Sequence, residues 1–236
     1  MNYKTKSLAA AALTVTLLAA GCTSSGNDTD SASTAPTSHS MNSAGSGNDT
    51  GTAPDETAAA GLRATLTALL SDHVWLAGNA LNTAVQAGGD LKDPKVKGAV
   101  AALDGNSVAL SKAVASVYPD AEKPFLASWR QHIGFFVNYT LGKATKDNAT
   151  VAKAKKDLDG YRTSFGQLIN SVVPELPADA VAEELIPHVQ SLFAAIDAAV
   201  AGSPSFQQKL ADAAEHMTMT AAVLTHGIVA NKKITD

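Results

Sequence analysis

From residue 58 onward the apolar positions recur every three to four residues, segment after segment, which is the period of amphipathic helices. The first stripe is Leu62, Leu66, Leu69, His73, Leu76 and Ala80, predicting a helix from about Thr57 to Ala87 that Gly88-Gly89 stops. A second helix starts with Asp93 as N-cap and Pro94 at its first position. Its stripe is Val96, Val100, Leu103, Leu110, Val114 and Val117, and Pro119 ends it. A third spans about Ala121 to Ala144 with Trp129, His132, Phe136 and Tyr139 aligned. A fourth spans about Asn148 to Val173 with Leu158, Phe165, Ile169 and Val172. The fifth begins near Pro177-Ala178-Asp179 and carries Leu185, His188, Leu192 and Ala195 up to a turn at Gly202-Ser203-Pro204. The sixth runs from about Ser205 to Ala230 with His216, Met219, Val223 and His226.

These segments repeat. His73-Val-Trp-Leu-Ala, His132-Ile-Gly-Phe-Phe and His188-Val-Gln-Ser-Leu open the same pattern in the first, third and fifth helices. Leu103-Asp104-Gly105 leads to Ser116-Val117-Tyr118-Pro119, and Leu158-Asp159-Gly160 leads to Ser171-Val172-Val173-Pro174; in both, proline follows leucine by 16 positions. The sixth helix lacks Leu-Asp-Gly, so the third pair has diverged. Recurring helix pairs with short connections predict an all-α fold: a six-helix antiparallel bundle built from three repeated helix hairpins. Glycine inside a helix costs about 1 kcal/mol relative to alanine. Its recurrence at Gly105 and Gly160 therefore predicts a close helix crossing, with a simple kink as the competing reading.

The N-terminal part has a different character. Lys4 and Lys6 precede an uncharged apolar run from Leu8 to Ala20, too short to span a bilayer as a mature helix. Leu18-Ala19-Ala20-Gly21-Cys22 resembles a bacterial lipobox, and Cys22 is the sole cysteine. Residues 1–21 therefore read as a lipoprotein signal peptide and Cys22 as the lipidated new N-terminus. Localisation to the extracytoplasmic face of a bacterial membrane follows. Disulfides are excluded although that compartment permits them. Residues 22–57 are rich in Ser, Thr, Gly, Asn, Asp and Ala, and Ser25-Gly26-Asn27-Asp28-Thr29 recurs as Ser46-Gly47-Asn48-Asp49-Thr50. Such a composition cannot offset chain entropy and reads as a disordered tether. At about 5–6 Å times the square root of its length, its mean reach is about 30–35 Å. Residues 58–236 form the helical repeat domain.

Charge narrows the partners. The net charge of −4 leaves no electrostatic footprint for nucleic acid. The lysines between Lys143 and Lys156 form a basic cluster that reads as a solvated helix end and loop, with contact to anionic envelope polymer as the minor alternative. No nucleophile motif, phosphate loop, zincin motif or dinucleotide fingerprint is present, so no enzymatic machinery can be read.

The candidate chemistry lies in the histidines. His73, His132, His188 and His216 each fall near mid-helix on an apolar stripe, and antiparallel helices of similar length place their midpoints in one layer. Met219, three residues after His216, shares its face, whereas Met217 points away. Imidazole with thioether suits copper among the transition metals. Two readings stay open: a metal site on His73, His132, His188 and His216 with Met219 auxiliary, or core histidines each satisfied by a neighbouring carbonyl or hydroxyl. A pH-sensing or haem role is a third. Repeat symmetry tends to spread equivalent residues, which favours the core reading, and the Glu-x-x-His pairing of di-iron bundles is absent. Glu184, four residues before His188, reads as a surface-to-core neighbour, and His226, about 15 Å along the axis from His216, is outside any shared site. Trp75, Trp129, Phe135, Phe136 and Tyr139 read as packing, and Asp104 and Asp159 as structural ties or exposed positions.

Trp129-Arg130-Gln131-His132-Ile133-Gly134-Phe135-Phe136-Val137-Asn138-Tyr139-Thr140 resembles the W-R-x-H-I-G-F-F-x-x-Y-T signature of a family of secreted bacterial proteins and lipoproteins. Leu70 to Val74, Leu110 to Tyr118 and Glu215 to Met219 extend the likeness over most of residues 60–230. Members are often labelled copper amine oxidase-like, through a domain attached in some of them. The resemblance implies the helical repeat and makes the histidines motif positions; it implies no oxidase activity for these residues. The expected function is a membrane-anchored extracytoplasmic lipoprotein whose helical module holds a metal ion, with copper favoured. The alternative is a non-enzymatic structural or interaction protein of the envelope with an unknown partner.

Overall fold

The computed structural model describes residues 57–234; the expected signal peptide, Cys22, the expected tether and His39 lie outside the described residues. Six α-helices follow one another: α1 (Ala58–Gln86), α2 (Pro94–Val117), α3 (Glu122–Thr145), α4 (Asn148–Val172), α5 (Ala178–Val200) and α6 (Phe206–Lys232). There is no strand among the described residues. No described helix is long and apolar enough to cross a membrane. The boundaries follow local chemistry. The Thr57 hydroxyl accepts from the Ala60 amide, Asp93 accepts from the Lys95 amide, and Asp147 accepts from Ala149 and Thr150, each satisfying amides that a helix start leaves unpaired. Gly88 and Gly89 end α1 with φ of +64° and +86°, a left-handed conformation that glycine adopts without a Cβ penalty. Pro119 ends α2 and opens a 3-10 turn over Pro119–Ala121. Pro187 sits inside α5, immediately before His188, and has no amide for the Glu183 carbonyl one turn back.

The short connections make chain neighbours antiparallel, so α1, α3 and α5 run one way and α2, α4 and α6 the other. Each helix packs on its chain neighbours, and α6 packs back along α1, so the three hairpins close into a ring. Inside the ring α1, α3 and α5 also meet one another, while α2, α4 and α6 make no comparable mutual contact. The first helix of every hairpin is therefore central and the second is peripheral. The core is continuous through Leu70, Val74, Leu110, Phe136, Tyr139, Leu158, Leu192, Ile196 and Leu210.

The Leu-Asp-Gly motifs tie hairpins together. Asp104 on α2 accepts two hydrogen bonds from the Arg130 guanidinium on α3, at 2.7 and 2.8 Å. Asp159 holds Arg162 on α4, which donates at 2.8 Å to the Ala182 carbonyl on α5. The glycines beside them do not mark a crossing: a Cβ at Gly105 or Gly160 would meet nothing within 4 Å. Both are exposed, because the buried face of each helix lies around the preceding leucine. The close approaches fall elsewhere. A Cβ at Gly166 would collide with the backbone carbonyl of Ala178, and one at Gly78 or Gly227 with Leu210 or Leu176.

Gly105→Ala and Gly160→Ala should each raise stability by about 0.5–1 kcal/mol, since only the entropic cost of glycine is removed. Gly166→Ala should lower it by about 1–3 kcal/mol, since α4 and α5 must part. Chemical denaturation of the three variants checks this; a stability loss at Gly105 comparable to that at Gly166 would contradict it.

Candidate metal centre

His73 on α1, His132 on α3 and His188 on α5 come together on the central axis, 1%, 3% and 5% exposed. The reason is geometric. The three central helices run parallel, so residues at equivalent repeat positions lie at one level, and each histidine faces inward. Repetition was expected to spread these side chains; ring closure makes them converge instead. One ligand nitrogen from each lies within 4.8 Å of the others. The facing pair is closest, with Nε2 of His132 3.3 Å from Nε2 of His73. Two imidazole nitrogens bound at about 2.0–2.1 Å to one tetrahedral ion lie about 3.3–3.4 Å apart. The three side chains are therefore close enough to hold a metal ion.

Aromatic rings enclose the cluster. Trp129 packs against both His73 and His132, at centroid distances of 4.8 and 4.7 Å. Tyr161 lies 5.0 Å from His132, and Phe136 lies 6.2 Å from His188. Among the described residues no carboxylate belongs to the cluster. Burial, reinforced by the neighbouring His188, lowers the His73 pKa to about 3. Burial and the adjacent His216 lower that of His188 to about 4. Burial, His73 and His188 hold His132 well below its ordinary value, with the Trp129 carbonyl opposing. All three imidazoles are thus neutral at pH 7, the form that binds metal. The Nδ1 atoms of all three are buried without a well-formed hydrogen bond. Metal-bound histidines ordinarily donate that second nitrogen to a carbonyl or carboxylate.

The other expected ligands stay outside. His216 lies on peripheral α6 at the edge of its buried face, with Nε2 3.6 Å from the Glu184 carboxylate. Glu184 also accepts from the Thr220 hydroxyl at 3.2 Å. Met219 is 63% exposed and cannot serve the centre, while Met217 is 2% exposed and faces the interior. The buried stripe of α6 runs through Leu210, Ala213, Met217, Thr220 and Ala221, one residue out of register with the expected His216–Met219 face. His226 is exposed. Of the aromatic residues read as packing, Trp129, Phe136 and Tyr139 are buried, and Phe135 packs partly buried on the core, but Trp75 is 42% exposed. The basic cluster has local partners: Lys143 pairs with Asp197, Lys153 with Asp157, and Lys155 lies over the Tyr139 and Phe193 rings.

Helix periodicity alone gives no sign of a cavity, yet one of about 80 Å³ runs along the axis on one side of the histidine level. It lies among the N-terminal halves of α1, α3 and α5, with His132 and His188 at its inner end, and its walls are almost wholly apolar. Similarity to known proteins adds nothing to this picture: no family model, curated protein or solved structure matches the chain.

The histidines make stability depend on pH. Unfolded histidines protonate near their ordinary pKa of about 6.5, while the folded values are lower. Stability is therefore complete above that value and falls as pH drops towards about 4 for His188 and about 3 for His73. Near pH 5 the triad should add about three protons to the uptake on unfolding, about 4 kcal/mol lost per pH unit. Replacing one triad histidine with Asn should reduce that slope by about one proton. Unfolding free energies measured between pH 5 and 7 test this; a flat profile would show the triad is not buried neutral.

Proposed function

We propose that this protein is a lipid-anchored extracytoplasmic metal-binding protein that holds one transition-metal ion, copper in its monovalent state, on His73, His132 and His188. The observation that carries the reading is the convergence of three neutral, buried imidazoles on one point from three separate helices. Three neutral nitrogen donors without a carboxylate leave the full charge of the ion uncompensated. In an apolar, aromatic-lined interior that charge is costly, and a monocation costs less than a dication. Imidazole suits copper, and Cu(I) accepts few ligands. The role is binding and custody of the ion. Attachment through Cys22 places the module outside the membrane at the end of its tether.

One observation favours the second reading, a structural protein with core histidines. The 3.3 Å contact between His132 and His73 is a satisfactory N–H···N hydrogen bond when the two rings adopt complementary tautomers. The two readings separate experimentally. The full chain carrying Cys22→Ser, and so no thiol, is offered Cu(I) or Zn(II) against a chromogenic chelator. One Cu(I) per chain should bind, and His73→Ala, His132→Ala and His188→Ala should each weaken binding at least about a hundredfold. His216→Ala and Met219→Ala should leave it nearly unchanged. Metal at a hundred times its Kd should stabilise the fold by about 2.7 kcal/mol. Wild-type affinity in all three triad variants would refute the centre. Should no metal shift the melting temperature, while His132→Ala alone costs about 1–3 kcal/mol, the histidines are structural.

The anchor has its own test. In a bacterial host, Cys22→Ser should move the protein out of the membrane fraction or leave it unprocessed. Unchanged lipid labelling and fractionation would refute lipidation at Cys22.

A further inference from the structure

The axial cavity is not needed to hold a metal ion, and it leaves an apolar space in the core of the bundle. Its wall is built by all six helices, from Leu62 and Ile228 at the outer end to His132 and His188 at the inner end. Beyond the histidines, towards the C-terminal ends of the central helices, Val74, Tyr139, Ala195 and Ile196 are buried in the main core. Two charged side chains border the cavity: Arg162 is held by the Ala182 carbonyl and Asp159, and one carboxylate oxygen of Glu184 accepts from Thr220. An ionic group inside would lose its hydration to an almost wholly apolar wall. Apolar cavities of this kind stay dry and take apolar guests. Val223, 39% exposed, and the half-buried Glu184 and Arg162 lie along its α4–α5–α6 side and give it a way to the surface.

The volume of about 80 Å³ corresponds to about five to eight groups of water or methylene size at about 10–15 Å³ each. We propose that the axial cavity is a binding site for a neutral aliphatic chain of about six to eight carbons, seated with one end against His132 and His188. Such a chain matches the elongated wall, which a folded segment or a helix cannot enter. The chain would come either from a free aliphatic molecule or from the tail of a membrane lipid. The inference does not rest on the metal, because His132 and His188 form only the inner end of an apolar wall built by all six helices.

Trp129 lines the cavity and reports on it directly, and Trp75→Phe removes the other, exposed tryptophan. The full chain carrying Cys22→Ser and Trp75→Phe is titrated, in chelator, with n-alkanols from butanol to decanol. Trp129 emission should change saturably. Affinity should climb about fourfold per added methylene and level off near six to eight carbons. Val114→Phe and Val189→Phe, which fill the wall, should weaken octanol binding at least tenfold. Phosphatidylcholine vesicles form the second arm: a Trp129 response to vesicles equal to that with octanol assigns the chain to a lipid tail, and a response to alkanols alone to a free molecule. The proposal is overturned if no alkanol gives a saturable change. It is equally overturned if affinity climbs without a break through decanol, the mark of surface partition. Should the filled variants misfold, the length series on the parent chain decides alone. Because metal is excluded throughout, failure here leaves the metal centre standing, and failure of the metal assay leaves the cavity standing.

Discussion

Everything in the domain depends on the packing of α6 back onto α1. An open array of three helix hairpins would present its equivalent residues as a row, one per repeat, each histidine facing a different neighbour. Closing the array turns that row into a circle. The central helices α1, α3 and α5 then share one axis, and whatever the repeat places on their inner faces must pack against copies of itself. Alanine, valine and aromatic side chains fill most of that axis. At one level the repeat supplies histidine three times, and the fold accepts it because two of the rings can hydrogen-bond to each other.

This geometry also sets the electrostatics. Three histidines brought together in a shell of Trp129, Tyr161 and Phe136 cannot carry charge, so burial and mutual repulsion keep them neutral at pH 7. The charged groups that hold the hairpins in place stay at the periphery, where solvent shares their desolvation. Arg130 with Asp104 links the first hairpin to the second, Arg162 links the second to the third through the Ala182 carbonyl, and Thr220 with Glu184 ties α6 to α5. The centre is thus uncharged inside a charged rim.

The secondary structure was legible in the sequence because its causes are local. Thr57, Asp93-Pro94, Gly88-Gly89 and Pro119 act within one helical turn, and the observed boundaries fall within about two residues of those expected. The pairing of helices followed from connections too short to allow anything else. The three histidines were legible as candidates because they recur at one position of a repeat. Burial of individual faces was less legible. On α6, where Leu-Asp-Gly is missing, the repeat gives no register, and a shift of one residue is a rotation of 100°. That rotation puts Met217 inside and Met219 in solvent, and leaves His216 at the edge. Gly105 and Gly160 misled for a related reason: recurrence marks a conserved place in the repeat unit, not contact, and these positions face outward.

The amino-acid sequence by itself determined an all-helical repeat, its helix boundaries and its inward-facing histidines. These are properties of residues and their near neighbours along the chain. Only the tertiary structure decided that the repeat closes, that three histidines and not four meet, and that an apolar cavity lies against them. Those outcomes depend on distances between side chains far apart in sequence, and on volumes left over when six helices pack. Neither quantity is written in the period of any one helix.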